Sequence, residues 1–208
     1  MTATPTRMAA RMAGSDRRNQ LIEVAIDLFS RKGFGGTTTK EIAAAAGVTE
    51  AIIFRHFATK QDLYKAILDT RCFTGDAEAW FSESKQFMAA NDDEGLFRAL
   101  ITVIIQCKRE DPRFERLMLH AALEGNELAM MHHNQFAQPI GAQLVEYIAR
   151  RQQEGAFRQF DPKAVIFAVA GIAQFYAAQK YLYQCGDIPM SDEAVVDAFL
   201  AILMKGLK

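Results

Sequence analysis

Cysteine is scarce in this chain and poorly placed for work in pairs: Cys72, Cys107 and Cys185 are odd in number, far apart, and form no CxxC. That argues against a disulfide scaffold or a thiolate metal centre, and the three read as reduced thiols packed as small hydrophobes. The glycines Gly33, Gly35 and Gly36 have no strand before them and no GK[ST] after them, so they form no phosphate loop. Rossmann glycines, a GxSxG elbow and a zinc signature are missing as well, which removes the commonest enzyme classes. No uncharged run reaches the roughly 20 residues a bilayer requires. Residues 128–145 are broken by His, Asn, Gln and Pro, and residues 164–179 fall short. The first residues carry charge without an apolar centre and so resemble no signal peptide. A soluble, cytoplasmic protein is expected, without membrane contact and without a cofactor.

What is present is apolar and helical. Half of the 208 residues are hydrophobic, enough for a substantial core in one large or two small domains. The net charge of −1 conceals an asymmetry: residues 1–65 carry 10 Lys/Arg against 6 Asp/Glu, and residues 66–208 carry 14 against 19. The basic part suits contact with phosphates. Helical periodicity runs almost throughout, and no convincing strand is found.

Residues 1–14 read as a mobile arm bearing Arg7 and Arg11. A helix over about 16–32 places Leu21, Val24, Ala25, Leu28 and Phe29 on one stripe. The next segment, Thr37 to Leu68, is the most informative. Thr38 and Glu41 stand at capping-box spacing, and Ile42, Ala43 and Ala46 form a small apolar face. Gly47 can take the positive φ of a tight turn, with Val48 plugging the gap. Thr49 is placed to cap a second helix that turns Ile53 and Phe57 inward and leaves Glu50, Ala51, Ile52, Arg55 and His56 more exposed. Thr59, three residues before Asp62, opens another helix through Leu63, Tyr64, Ile67 and Leu68. This is a helix-turn-helix with its surroundings, and an exposed N-terminal helix face reads a major groove.

Further helices are expected after a break near Gly75: 78–90, another from Asp92 onward, one from Pro112, and a long one from about 126 to 154. Pro139 should kink or break the last near Gln138. Residues 164–179 carry no charge on any face and should be buried nearly all round. The helix over 192–207 has an apolar arc wider than one core contact needs. Such a pair can dock on its own copy across a two-fold axis, with Phe167, Gly171, Phe175, Val196, Phe199, Leu200 and Leu203 at the interface.

The pattern GF-x-x-TT (Gly33, Phe34, Thr37, Thr38), IA-x-x-AGV (Ile42, Ala43, Ala46, Gly47, Val48) and F-R-HF-x-x-K-x-x-L (Phe54, Arg55, His56, Phe57, Lys60, Leu63) resembles the TetR-type (TetR/AcrR) transcriptional regulators. The resemblance implies an all-α fold with an N-terminal three-helix DNA-binding domain (15–62) and a C-terminal helical effector-binding and dimerisation domain (63–208). It also implies phosphate contacts from Thr38 or Thr39, His56 and Lys60. Phe54 departs from the family's tyrosine and has no hydroxyl to donate. Glu50 departs too, as an acid near phosphates, yet one able to accept from a cytosine amino group. Thr49, Glu50, Ala51, Ile52 and Arg55 are the positions for base readout.

The function implied is a ligand-responsive regulator acting on a palindromic double-stranded operator as a homodimer, a repressor released by a small apolar or aromatic effector. Recognition helices roughly 34 to 36 Å or more apart would match successive major grooves. An effector favouring another spacing would lower affinity by about 1 to 3 kcal/mol. Phe81, Phe97, Ile104, Met118, Phe136, Phe167, Phe175 and Tyr176 are residues of the right character to line its pocket. Two alternatives stay open at this point: a helical protein-interaction adaptor without DNA affinity, and a helical enzyme using His120 and Glu124, one helical turn apart. His132 and His133 belong to the same weak metal pattern.

Overall fold

The computed structural model describes residues 14–72, 76–184 and 188–208, and among them there are helices and turns but no strand. The expected arm with Arg7 and Arg11, the break at Gly75 and the thiol of Cys185 lie outside the described residues. In chain order the helices are α1 (Gly14–Lys32), α2 (Thr39–Ala46), α3 (Glu50–His56), α4 (Lys60–Cys72), α5 (Asp76–Ala90), α6 (Asp93–Glu110), α7 (Pro112–Leu123), α8 (Glu127–His132), α9 (Gln138–Gln153), α10 (Pro162–Ala177) and α11 (Asp192–Leu207).

Two apolar clusters organise them. The first joins Leu21, Ala25 and Phe29 of α1 to Ile42, Ile53, Phe57, Leu63 and Ile67, but it also takes in Leu117, Ala121 and Leu128 from α7 and α8. A boundary after residue 62 therefore cuts through a continuous core. The reason is visible on α1. Its buried residues include Ile22 and Ile26, outside the expected stripe, because α7 packs on α1 as well as α2 and α4 do. The second cluster holds Trp80, Leu96, Phe97, Ile101, Ile148, Val169, Val195 and Leu200.

That second core is pinned by a buried charge. Asp92 caps α6 by accepting from the Gly95 amide at 2.9 Å, while the next residue, Asp93, turns inward. Its carboxylate accepts from Nε and a terminal nitrogen of Arg151, both at 2.9 Å, and from the Tyr147 hydroxyl at 2.5 Å. Burial pushes the Asp93 pKa up, but the Arg151 and Tyr147 hydrogen bonds outweigh it and hold the group below its ordinary 3.8.

Pro139 acts as expected, by a specific route. Without an N–H, and with its ring against the carbonyl four residues back, it cannot continue a regular ladder. Residues His133–Ala137 widen into a π turn in which the Gln138 amide bonds the His133 carbonyl, and α9 starts from there. A second π turn, Ala178–Leu182, extends α10 to 21 residues, long and apolar enough by composition to cross a membrane, contrary to the shorter run expected.

Three expectations about burial are corrected. Only one face of α10 is covered, through Val165, Val169, Ala173, Tyr176 and Ala177, with α6 and α9 as its main neighbours. Phe167 and Phe175 point outward at 77% and 67% exposure. Cys107, expected as a packed thiol, is exposed on α6. Val196 and Leu200, assigned to an interface, are spent on the intrachain core, whereas Phe199 and Leu203 are partly buried against it. Ile202, 70% exposed, joins the outward apolar set.

Candidate nucleic-acid interface

The entrance to α2 forms as its spacing predicts. The Glu41 amide donates to Thr38 Oγ1 at 3.2 Å and the Thr38 amide to Glu41 Oε2 at 2.9 Å, a complete capping box. Lys32 adds an ion pair to Glu41 at 2.7 Å. The Lys32 and Thr38 hydrogen bonds bring the Glu41 pKa down to about 2 from its ordinary 4.5. Because the folded value is the lower one, this contribution to stability is complete above about pH 4.5 and is lost as pH falls towards 2. Thr38→Ala should cost about 1 kcal/mol in urea unfolding near pH 7 and less near pH 3; equal losses at both pH values would count against the reciprocal cap.

Gly47 closes α2 at φ 67°, with the Val48 amide bonded back to the Ala43 carbonyl at 2.9 Å. The chain then enters α3 at Thr49, whose backbone has N-cap geometry but whose hydroxyl makes no cap hydrogen bond, unlike the expectation. The fixing contact is another one. Thr39 Oγ1 donates to Glu50 Oε1 at 2.6 Å, tying the start of α2 to the start of α3. That pair is eleven residues apart in sequence, and only the turn at Gly47 brings it together.

Around this tie the helix presents what a groove-reading surface needs. Thr38, Thr49, Glu50, Ala51, Phe54 and Arg55 are exposed, and Ile52 and His56 are half-buried. Phe54 stands 49% exposed and so does not pack within the small helical unit. His56 Nε2 is buried and meets no hydrogen-bond partner among the described residues. Ile53 and Phe57 face inward, the latter beneath the Arg18 guanidinium at 5.1 Å. Thr59 and Asp62 form a second reciprocal cap at the start of α4.

Lys60 is placed differently from a free phosphate ligand. Its ammonium donates to the carbonyls of Phe34 at 2.6 Å and Thr37 at 2.5 Å and sits 4.0 Å from the Phe34 ring centre. Burial lowers its pKa, against the pull of Glu124 and Glu41.

The residues assigned to an effector pocket are not brought together. Phe81, Phe97, Ile104 and Tyr176 belong to the second core, Met118 and Phe136 pack on the first, and Phe167 is on the surface. Helical pattern marks a residue as inward-facing without saying into which of two cores. Phe175 and Tyr176, with Gly171, Ile172 and Phe199, line an open apolar groove of about 460 Å³. His132 lies between the Phe114 and Phe136 rings at 5.6 and 5.7 Å, and burial lowers its pKa below 6.5, which suits a neutral packed imidazole.

Comparison with known proteins agrees with this geometry. Residues 21–67 match the tetR family of bacterial regulatory proteins, and residues 94–204 match the tetracyclin repressor-like C-terminal domain. The chain is 26% identical over 165 residues to the HTH-type transcriptional regulator RutR of Escherichia coli, spanning 79% of this chain and 76% of that protein. It is 35% identical over 111 residues to the HTH-type transcriptional regulator TtgR of Pseudomonas putida, spanning 52% and 51%. Its fold is similar to that of the fatty acid degradation regulator FadR from Bacillus halodurans, with a TM-score of 0.68 at 18% identity over 92% of this chain and 96% of that one.

Proposed function

We infer the function from the family to which this chain belongs, the TetR family of bacterial regulatory proteins: it is a DNA-binding, ligand-responsive transcriptional regulator and not an enzyme. We propose further that it is a repressor acting as a homodimer on a palindromic operator. The observation that carries this reading is the exposed first half of α3, whose outward side chains make one hydrogen bond among the described residues, Thr39 to Glu50, on the more basic part of the chain. Arg55 and the Glu50 carboxylate are the base-reading groups, Phe54 supplies an apolar contact such as a thymine methyl, and Thr38 and His56 contact phosphate. Lys60 acts from behind, by holding the loop before α2.

The second copy docks on the outward faces of α10 and α11, where Phe167, Gly171, Phe175 and Ile202 leave apolar surface uncovered. The effector is apolar and binds within the C-terminal helical part, whose second core is built from apolar and aromatic side chains. Its binding changes the separation of the two recognition helices.

The test is a salt-dependent gel-shift series on genomic fragments flanking the gene. A protected palindrome whose affinity falls steeply with salt is expected. No protected site at moderate salt, with an intact dimer, would sink the reading. Arg55→Ala should cost about 1 to 3 kcal/mol at the base pair it reads and relax discrimination there, while His56→Ala should weaken all sequences alike. Equal losses on all sequences for Arg55→Ala would remove it from base readout.

A further inference from the structure

His120 and Glu124, one turn apart at the end of α7, have no part in the DNA-binding surface. Glu124 is the C-cap of α7, where the helix dipole disfavours a carboxylate. The compensation comes from the loop between α1 and α2. Glu124 Oε2 accepts from the backbone N–H of Phe34 at 3.1 Å and of Gly35 at 3.3 Å. Two successive amides converging on one oxygen make a small anion nest. The loop is shaped to receive it: Gly33 is buried at φ 72°, and a Cβ there would stand 1.9 Å from Glu124 Oε1 and 3.3 Å from His120 Nδ1. From the other side Lys60 holds the carbonyls of Phe34 and Thr37, and Glu124 favours its charged form. Thr37 Oγ1 closes the loop onto the Gly33 carbonyl at 2.9 Å, and the next residue, Thr38, caps α2.

The opposite end of α7 is tied to the same helix, α1. Glu23 bonds Arg113 at 3.2 Å and Arg71 at 2.9 Å, and Arg71 reaches Asp111, the N-cap of α7, at 3.0 Å. α7 is thus fastened to the helix-turn-helix unit at both ends, and its Glu124 end grips the loop that leads into α2.

We propose that Glu124 is a positioning residue for DNA binding: it clamps the loop of residues 33–37 and so sets how α2 and α3 are presented. This rests on the DNA-binding reading above. Glycine is needed at 33 on two counts: its φ of 72° strains any side chain, and a Cβ there would also occupy the place of the carboxylate.

The experiment combines amide hydrogen exchange with binding of the intact protein to a mixed-sequence DNA duplex. In Glu124→Ala the Phe34 and Gly35 amides should exchange about tenfold faster, with α6 unchanged. Duplex affinity should fall about fivefold or more at an unchanged salt slope, since no phosphate contact is lost. Glu124→Gln, which keeps one oxygen able to accept both bonds, should lie between, and Leu123→Ala, at an 86% exposed neighbour, should match the parent. Gly33→Ala should weaken binding, and its loss combined with Glu124→Ala should be smaller than the two losses added. Unchanged exchange, faster exchange with unchanged affinity, or fully additive losses would each overturn the proposal. A parent protein that binds no duplex overturns the DNA reading and this role with it, a failure told apart because the exchange arm alone reports the clamp.

Discussion

Phe175→Asp is expected to convert the proposed homodimer into a monomer and to abolish binding to the proposed operator at concentrations where the parent saturates. Phe175 is 67% exposed on α10, so a carboxylate there meets water in the isolated chain and leaves the fold intact. In the dimer it would be buried against another apolar face without a counter-charge. Central interface aromatics commonly contribute about 2 to 4 kcal/mol, or roughly 30- to 1,000-fold in dissociation constant, and the loss acts twice across a two-fold axis. Phe167→Asp, at 77% exposure, should behave alike. Phe199 and Leu203 are poorer probes, because they already pack on the intrachain core and a charge there also attacks the fold. Sedimentation at micromolar concentration is the measurement. A dimer that survives both Phe167→Asp and Phe175→Asp would move the interface elsewhere.

The second large effect is on stability. Asp93→Ala should destabilise the protein by about 3 kcal/mol, because it strands the Arg151 guanidinium, 14% exposed, in the second core. Glu154, also paired with Arg151, keeps the loss near the lower end for a broken buried pair. Tyr147→Phe should cost about 1 kcal/mol by removing one hydrogen bond to the same carboxylate. The pH dependence has a definite sign. Asp93 has a folded pKa below its ordinary 3.8, so its stabilisation is complete above about pH 4 and is lost as pH falls through the lower folded value. Urea midpoints at pH 7 and at pH 3 measure both. An Asp93→Ala variant as stable as the parent at pH 7 would show that the pair is not a net support of the core.

The helix-turn-helix was legible because its signals are local. Thr38 with Glu41, the glycine at 47 and the inward pair Ile53 and Phe57 each act within a few residues, and all three take the geometry their spacing implies. Pro139 was legible for the same reason, since a missing N–H disturbs its own ladder. The C-terminal half was legible only in outline. Apolar character at Val196, Phe167 and Met118 looks alike in sequence, yet one residue lines the second core, one faces outward and one packs on the first core.

The sequence by itself determined the helices, the caps at Thr38 and Thr59 and the family pattern of residues 33–63, because backbone hydrogen bonding and helical period are short-range. Tertiary structure alone decided which apolar face each helix buries, that Lys60 turns back to hold a loop, and that Glu124 meets the Phe34 and Gly35 amides some ninety residues away. Those outcomes depend on which helices become neighbours, a choice made by the packing of whole faces that no local pattern encodes.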